Sequence, residues 1–169
     1  MINRHDGNKV KATELMGKKY EKVESFKYLG SVMTSLNDIE TEVKSKIAVI
    51  NKCYYALGPI LKRRSISQSI KICLYKTIIR PTVVYGAETW TLTSKIEKML
   101  MTWERKVLRK IYGPTKENGQ WIIKTNAELI TKYKSQDIVT VIKTQRLEWL
   151  GHVIRMNETR SVKKILKEN

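Results

Sequence analysis

Between Asn37 and Leu61 the chain reads NDIETEVKSKIAVINKCYYALGPIL. Apolar residues recur at Ile39, Val43, Ile47, Ile50, Tyr54, Leu57 and Leu61, three or four apart. That spacing gathers side chains on one face of an α helix. Asn37 and Glu40 stand as the two ends of a helix-start pattern, in which the Asn side chain caps a free amide and the Glu reaches back. Gly58-Pro59 ends or kinks the helix, because proline brings no amide to the ladder.

Working outward, the same periodicity organises most of the chain. Ser65 to Gln68 is a second start, followed by Ile70, Cys73, Leu74, Thr77 and Ile78, and Arg80-Pro81 is expected to break that helix. Ser94 to Glu97 opens a third helix with Ile96, Met99, Leu100, Trp103, Val107 and Ile111 inward, and Gly113-Pro114 stops it. Residues 114–124 read as a loop or a short extended piece around Trp121, Ile122 and Ile123. Thr125 to Glu128 begins a short helix. Ser135 starts a long one whose stripe runs Ile138, Val141, Ile142, Gln145, Trp149, His152, Val153, Met156. Upstream, residues 9–34 carry β-branched and aromatic residues around Gly17-Lys18-Lys19. They read as a hairpin or meander with Val23, Phe26, Tyr28 and Val32 among its apolar positions. The expected fold is mainly α: a small N-terminal β hairpin followed by a bundle of four to five helices. The expected organisation is a disordered leader at 1–8, the hairpin at 9–36, the helical domain at 37–156 and a frayed basic tail at 157–169.

At 169 residues the chain is large enough to bury a real core. Its charge is unbalanced: 33 Lys and Arg against 16 Asp and Glu give +17. The excess is spread along the chain, so it belongs to folded faces and not to a tail. Such a surface repels itself unless a polyanion screens it, and nucleic acid is the leading candidate. No apolar run reaches the roughly 18 residues of a membrane span, and the polar N-terminus is not a signal peptide. Cys53 and Cys73 have no CxxC partner, which argues against a disulfide framework or zinc site and suits an intracellular setting, nucleus or cytoplasm.

A self-contained active site is not expected. Glu40/Glu42 and Asp38/Glu42 lie at a helix start, where carboxylates favour the dipole. There is no phosphate-binding glycine loop, no His/Cys cluster and no H-E-x-x-H. His5 falls in the leader, and His152 on an apolar stripe reads as a packing residue. No cofactor and no metal are expected. The basic residues are more informative. Lys62, Arg63 and Arg64 form a cationic turn, Lys71 follows on the next helix, and Lys98, Arg105, Lys106, Arg109 and Lys110 lie mostly off the third helix's apolar stripe. Together they are candidates for a face that tracks a phosphate backbone; the plain alternative is a solvated face. Trp90, Trp103, Trp121 and Trp149 are candidates for base stacking, with Trp103 and Trp149 read as core.

Four segments, VESFKYLGSVMTS (23–35), LYKTIIRPTVVYGAETWTL (74–92), WERKVLRKIYG (103–113) and RLEWLGHVIRM (146–156), occur in an order that resembles one family. They are similar to the region after the polymerase active site in reverse transcriptases of non-LTR, LINE-type retrotransposons. The resemblance runs from about Asn8 to Met156. It implies that the hairpin ending in Phe26-Lys27-Tyr28-Leu29-Gly30 corresponds to the last palm strands and the helices to the thumb. It implies RNA/DNA template–primer as partner, held through its backbone, with palm and fingers as the natural packing neighbour. The family's RNA-directed DNA polymerase activity uses Mg, held by a two-aspartate motif that would lie upstream and has no equivalent here. Nucleotidyl transfer needs such carboxylates, so the chain by itself is not expected to be an enzyme. The rival expectations are an inert relic or protein-interaction module, and an enzyme with an unfamiliar site.

Overall fold

The computed structural model describes residues 12–15, 17–21, 23–28, 30–35 and 38–168. The leader at 1–8, His5 and the Asn37 cap lie outside the described residues. The architecture is mainly α. It starts with two antiparallel hairpins, β1 (Ala12–Leu15) with β2 (Lys18–Glu21) and β3 (Ser25–Tyr28) with β4 (Ser31–Thr34). They form separate two-stranded sheets, turning at Gly17 and Gly30, both with positive φ. β4 packs on the first helix, while Val23, Phe26 and Tyr28 are exposed.

The opening helix, α1 (Ile39–Ala56), is capped by Asp38, whose carboxylate accepts from the Glu40 amide at 3.0 Å. Leu57 keeps helical angles, so the chain bends into α2 (Gly58–Lys62) with Pro59 in its first turn. Proline is tolerated there because a first-turn amide has no intrahelical partner. The expected kink is what forms.

The next segment departs from expectation. Arg80-Pro81 does not break the helix: α3 (Gln68–Leu74) runs through a π-helical stretch, Tyr75–Ile79, into α4 (Arg80–Val84). There the Arg80 amide bonds five residues back to the Tyr75 carbonyl. Widening the turn removes the need for an amide at Pro81, and the Thr77 and Thr82 hydroxyls donate to the carbonyls of Cys73 and Ile78, both at 2.9 Å. The inward face also shifts by one residue. Lys71, Tyr75, Ile79 and Val83 are buried, and Ile70, Cys73, Thr77 and Ile78 face out.

Helix α5 (Ser94–Tyr112) has the expected inward stripe, with Ile96, Leu100, Trp103, Val107 and Ile111 buried. A single 3-10 turn, Ala87–Thr89, precedes it. After Gly113, with φ of 66°, comes a third hairpin, β5 (Thr115–Glu117) and β6 (Gln120–Ile122). α6 (Asn126–Tyr133) carries a complete capping box between Thr125 and Glu128. α7 (Ile138–Arg155) is capped by Asp137, and α8 (Ser161–Glu168) lies within the stretch read as a basic tail. Lys163 of α8 donates to the Ile154 carbonyl in the last turn of α7, where a cation favours the helix dipole.

The caps of α3, α5 and α7 are Ser67, Thr93 and Asp137, one or two residues from the Ser65, Ser94 and Ser135 starts. α7 is only half a core helix. Ile138, Val139 and Ile142 enter the core, but Leu147, Trp149, Leu150 and Ile154 are exposed.

One buried acid ties these helices together. Glu104 on α5, 3% exposed, accepts from the Tyr75 hydroxyl at 2.6 Å and from the Ile138 amide at 2.9 Å. Burial raises its carboxyl above the usual glutamate range, and the two hydrogen bonds oppose that. Burial and the same carboxylate push the Tyr75 hydroxyl up strongly and Tyr133 to about 12. An acid raised in the folded state stabilises fully below its unfolded value, and that contribution is lost as pH rises through the folded value. Glu104→Gln keeps the shape without the titration. The stability advantage of the native chain over this variant, from urea unfolding, should therefore shrink as pH rises from about 4 towards neutrality. A difference independent of pH would contradict the burial of this carboxyl.

Candidate nucleic-acid interface

The candidate cations divide among different faces. Lys62, Lys106, Arg109 and Lys110 are brought together on one groove of about 860 Å³, with Tyr54, Tyr55, Ile123 and Lys124. The kink at Gly58-Pro59 lays α2 beside the C-terminal half of α5, and these two form the walls. Arg63 and Arg64 are exposed in the turn after α2. Lys98 and Arg105 do not line the groove; they share the α5 face turned away from the buried stripe. Lys71 is 7% exposed and packed inside the helical body, so it is not placed to meet a phosphate backbone.

The groove cations also differ in what they do. Arg109 Nε donates to the Lys124 carbonyl at 3.1 Å and its Nη2 to Asn126 Oδ1 at 2.6 Å, which fastens the third hairpin and the start of α6 to α5. Lys124 is buried and donates to the Thr115 hydroxyl. Both are structural cations whose hydrogen bonds are made to other parts of the chain. Lys62, Lys106 and Lys110 are exposed and are the cations free to meet a ligand's charge. Sequence reasoning missed the aromatic members, Tyr54 and Tyr55, although they stand directly before the Gly58-Pro59 bend that shapes the groove.

The family-like segments resolve mostly into structural devices. In YGAETW, Gly86 takes a left-handed conformation with φ of 72°, and the Lys46 ammonium donates to the Tyr85 carbonyl. That ammonium lies 5.3 Å from the Trp90 ring centre and 5.6 Å from the Tyr85 ring, and 3.7 Å from Glu42, an ion pair too long for a hydrogen bond. Burial pulls Lys46 below the usual lysine range and Glu42 opposes it. In WERKVLRKIYG, Trp103 is core and donates from its indole to Asn51 at 3.2 Å, and Trp90 is fully buried.

RLEWLGHVIRM departs from expectation. His152 and Trp149 are not packed in the core; Trp149 is 48% exposed and His152 is exposed, with ring centres 5.7 Å apart. The helical stripe is continuous in sequence, but in its second half Val153 is buried while Trp149 and His152 stay in solvent. Among the described residues no group of three or more His, Cys, Asp or Glu side chains is arranged to hold a metal ion. Among them, too, no helix is long and apolar enough to cross a membrane. Because His152 is exposed and its ring lies against the half-exposed Trp149, His152→Gln should change unfolding free energy by less than about 0.5 kcal/mol in urea titration. A loss above about 1.5 kcal/mol would restore the packing role.

No protein-family model and no solved structure matches the chain. A curated transposon-derived protein of Caenorhabditis elegans is 21% identical over 142 residues, which are 82% of this chain and 49% of that protein. The chain thus spans about half the length of the relative it matches. The similarity suggests a transposon origin for the chain.

Proposed function

We propose that the chain is a piece of a LINE-type reverse transcriptase, from the end of the palm through the thumb, and that its own capability is sequence-independent binding of template–primer nucleic acid. The carrying observation is the groove: Lys62 of α2 and Lys106 and Lys110 of α5, more than forty residues on in sequence, converge on one surface in a chain of charge +17. Each phosphate neutralised there releases counterions, which favours binding without reading sequence. The similarity to a transposon-derived protein supports the origin. The exposed Phe26, Tyr28 and Met33 of the second hairpin support the palm assignment, since they form the kind of face that a neighbouring sheet or partner covers. By this reading the chain does not polymerise, because its sequence carries no two-aspartate motif. An inert relic or protein-interaction module is the second reading, and the same uncovered hairpin favours it.

Binding to an RNA–DNA hybrid across a salt series separates the two. With about five phosphate contacts, log K should fall with log salt at a slope near −3.5 to −4.5. Replacing Lys62, Lys106 and Lys110 together by Gln should reduce the magnitude of that slope by about 2 to 3. Undetectable binding at low salt would leave the second reading.

A further inference from the structure

The groove holds more than cations. Tyr55, in the last turn of α1, is 66% exposed, and Ile123, from the segment after β6, is 70% exposed; both line the same groove as Lys62, Lys106 and Lys110. Beneath them Tyr54 is buried, its ring 5.4 Å from Tyr55 and tilted by 60°. A basic last turn on α5 has an ordinary explanation, because Arg109 and Lys110 favour the helix dipole whether or not anything binds. The dipole does not account for the two large side chains, Tyr55 and Ile123, that share the groove with the lysines. Aromatic rings flanked by cations are the composition of single-strand platforms, where bases stack while the phosphates are neutralised.

Size points the same way. The groove encloses about 860 Å³, within the range of roughly 300–1,000 Å³ that holds a small molecule. One or two unpaired nucleotides enter it. We infer that this groove takes a single-stranded segment of nucleic acid, with an unpaired base stacked on Tyr55 and Ile123 beside it, and the adjoining phosphates on Lys62, Lys106 and Lys110. The inference rests on the nucleic-acid reading of the groove and adds base stacking to backbone contact. The Tyr54 ring lies against Tyr55, which lowers the ordering needed on binding.

The test uses the full 169-residue chain and two labelled oligonucleotides of equal length, oligo-dT and an abasic strand with the same phosphates, followed by fluorescence anisotropy at fixed low salt. Oligo-dT should bind roughly 5- to 100-fold more tightly than the abasic strand. Tyr55→Ala should erase that gap and leave the salt slope unchanged, and Tyr55→Phe should keep the gap. Trp149→Ala, which removes an exposed aromatic outside this groove, should also keep it. Circular dichroism melting of each variant confirms that the fold is intact. Equal affinity for the two strands, or a gap that survives Tyr55→Ala, overturns the stacking site while leaving backbone binding in place. Binding of neither strand at low salt overturns the single-strand site, and backbone binding then stands or falls on the RNA–DNA hybrid titration alone.

Discussion

The Glu104 carboxylate is the contact on which the helical arrangement turns. It sits where α5, the π-helical stretch of the α3–α4 segment and the first residue of α7 meet, and one oxygen serves each neighbour. A buried carboxylate is costly unless its lone pairs are used, and here a tyrosine hydroxyl and a helix-start amide use them. The directionality matters as much as the energy. Apolar contact between Ile79, Leu100 and Ile142 would tolerate several rotations of these helices, but two hydrogen bonds to one carboxylate do not. The π turn belongs to the same arrangement: it brings Tyr75 inward and relieves the chain of an amide that Pro81 does not have.

The groove follows from two further constraints, both set by proline with glycine. Gly58-Pro59 bends the end of α1 into α2, and Gly113-Pro114 ends α5 beside it. Arg109 then anchors the third hairpin through the Lys124 carbonyl and Asn126, which brings Ile123 to the rim. Cations that read alike in sequence thereby acquire different work. Arg109 and Lys124 hold the backbone together, and Lys62, Lys106 and Lys110 face water.

How far the sequence could be read depended on how local the signal was. The α1 and α5 stripes were legible because one apolar face in each is strongly periodic and meets the core along its whole length. The α3–α4 face was not, since apolar residues lie on both sides and only the widened turn at Tyr75–Ile79 decides which enters. Caps shifted by one or two residues wherever neighbouring Ser, Thr and Asp compete for the same amides, as at Ser65 and Ser67 or Ser135 and Asp137. The third hairpin did leave a signal, Asn118-Gly119, both with positive φ. Its strands are too short for alternation to show. Of the candidate site, the cations were legible by type and the tyrosines were not, because stacking residues and core residues look the same until their exposure is known.

By itself, then, the sequence determined a mainly helical fold, the bends at Gly58-Pro59 and Gly113-Pro114, and a strongly basic surface. Each is written in near-neighbour spacing or composition. Tertiary structure alone decided that Lys71 is buried, that His152 and Trp149 stand in solvent, and that Lys62, Lys106, Lys110 and Tyr55 share a groove. These are relations between segments far apart in the chain. They depend on how long each helix is covered by its neighbours and at what angle it crosses them, which periodicity along a single helix does not encode.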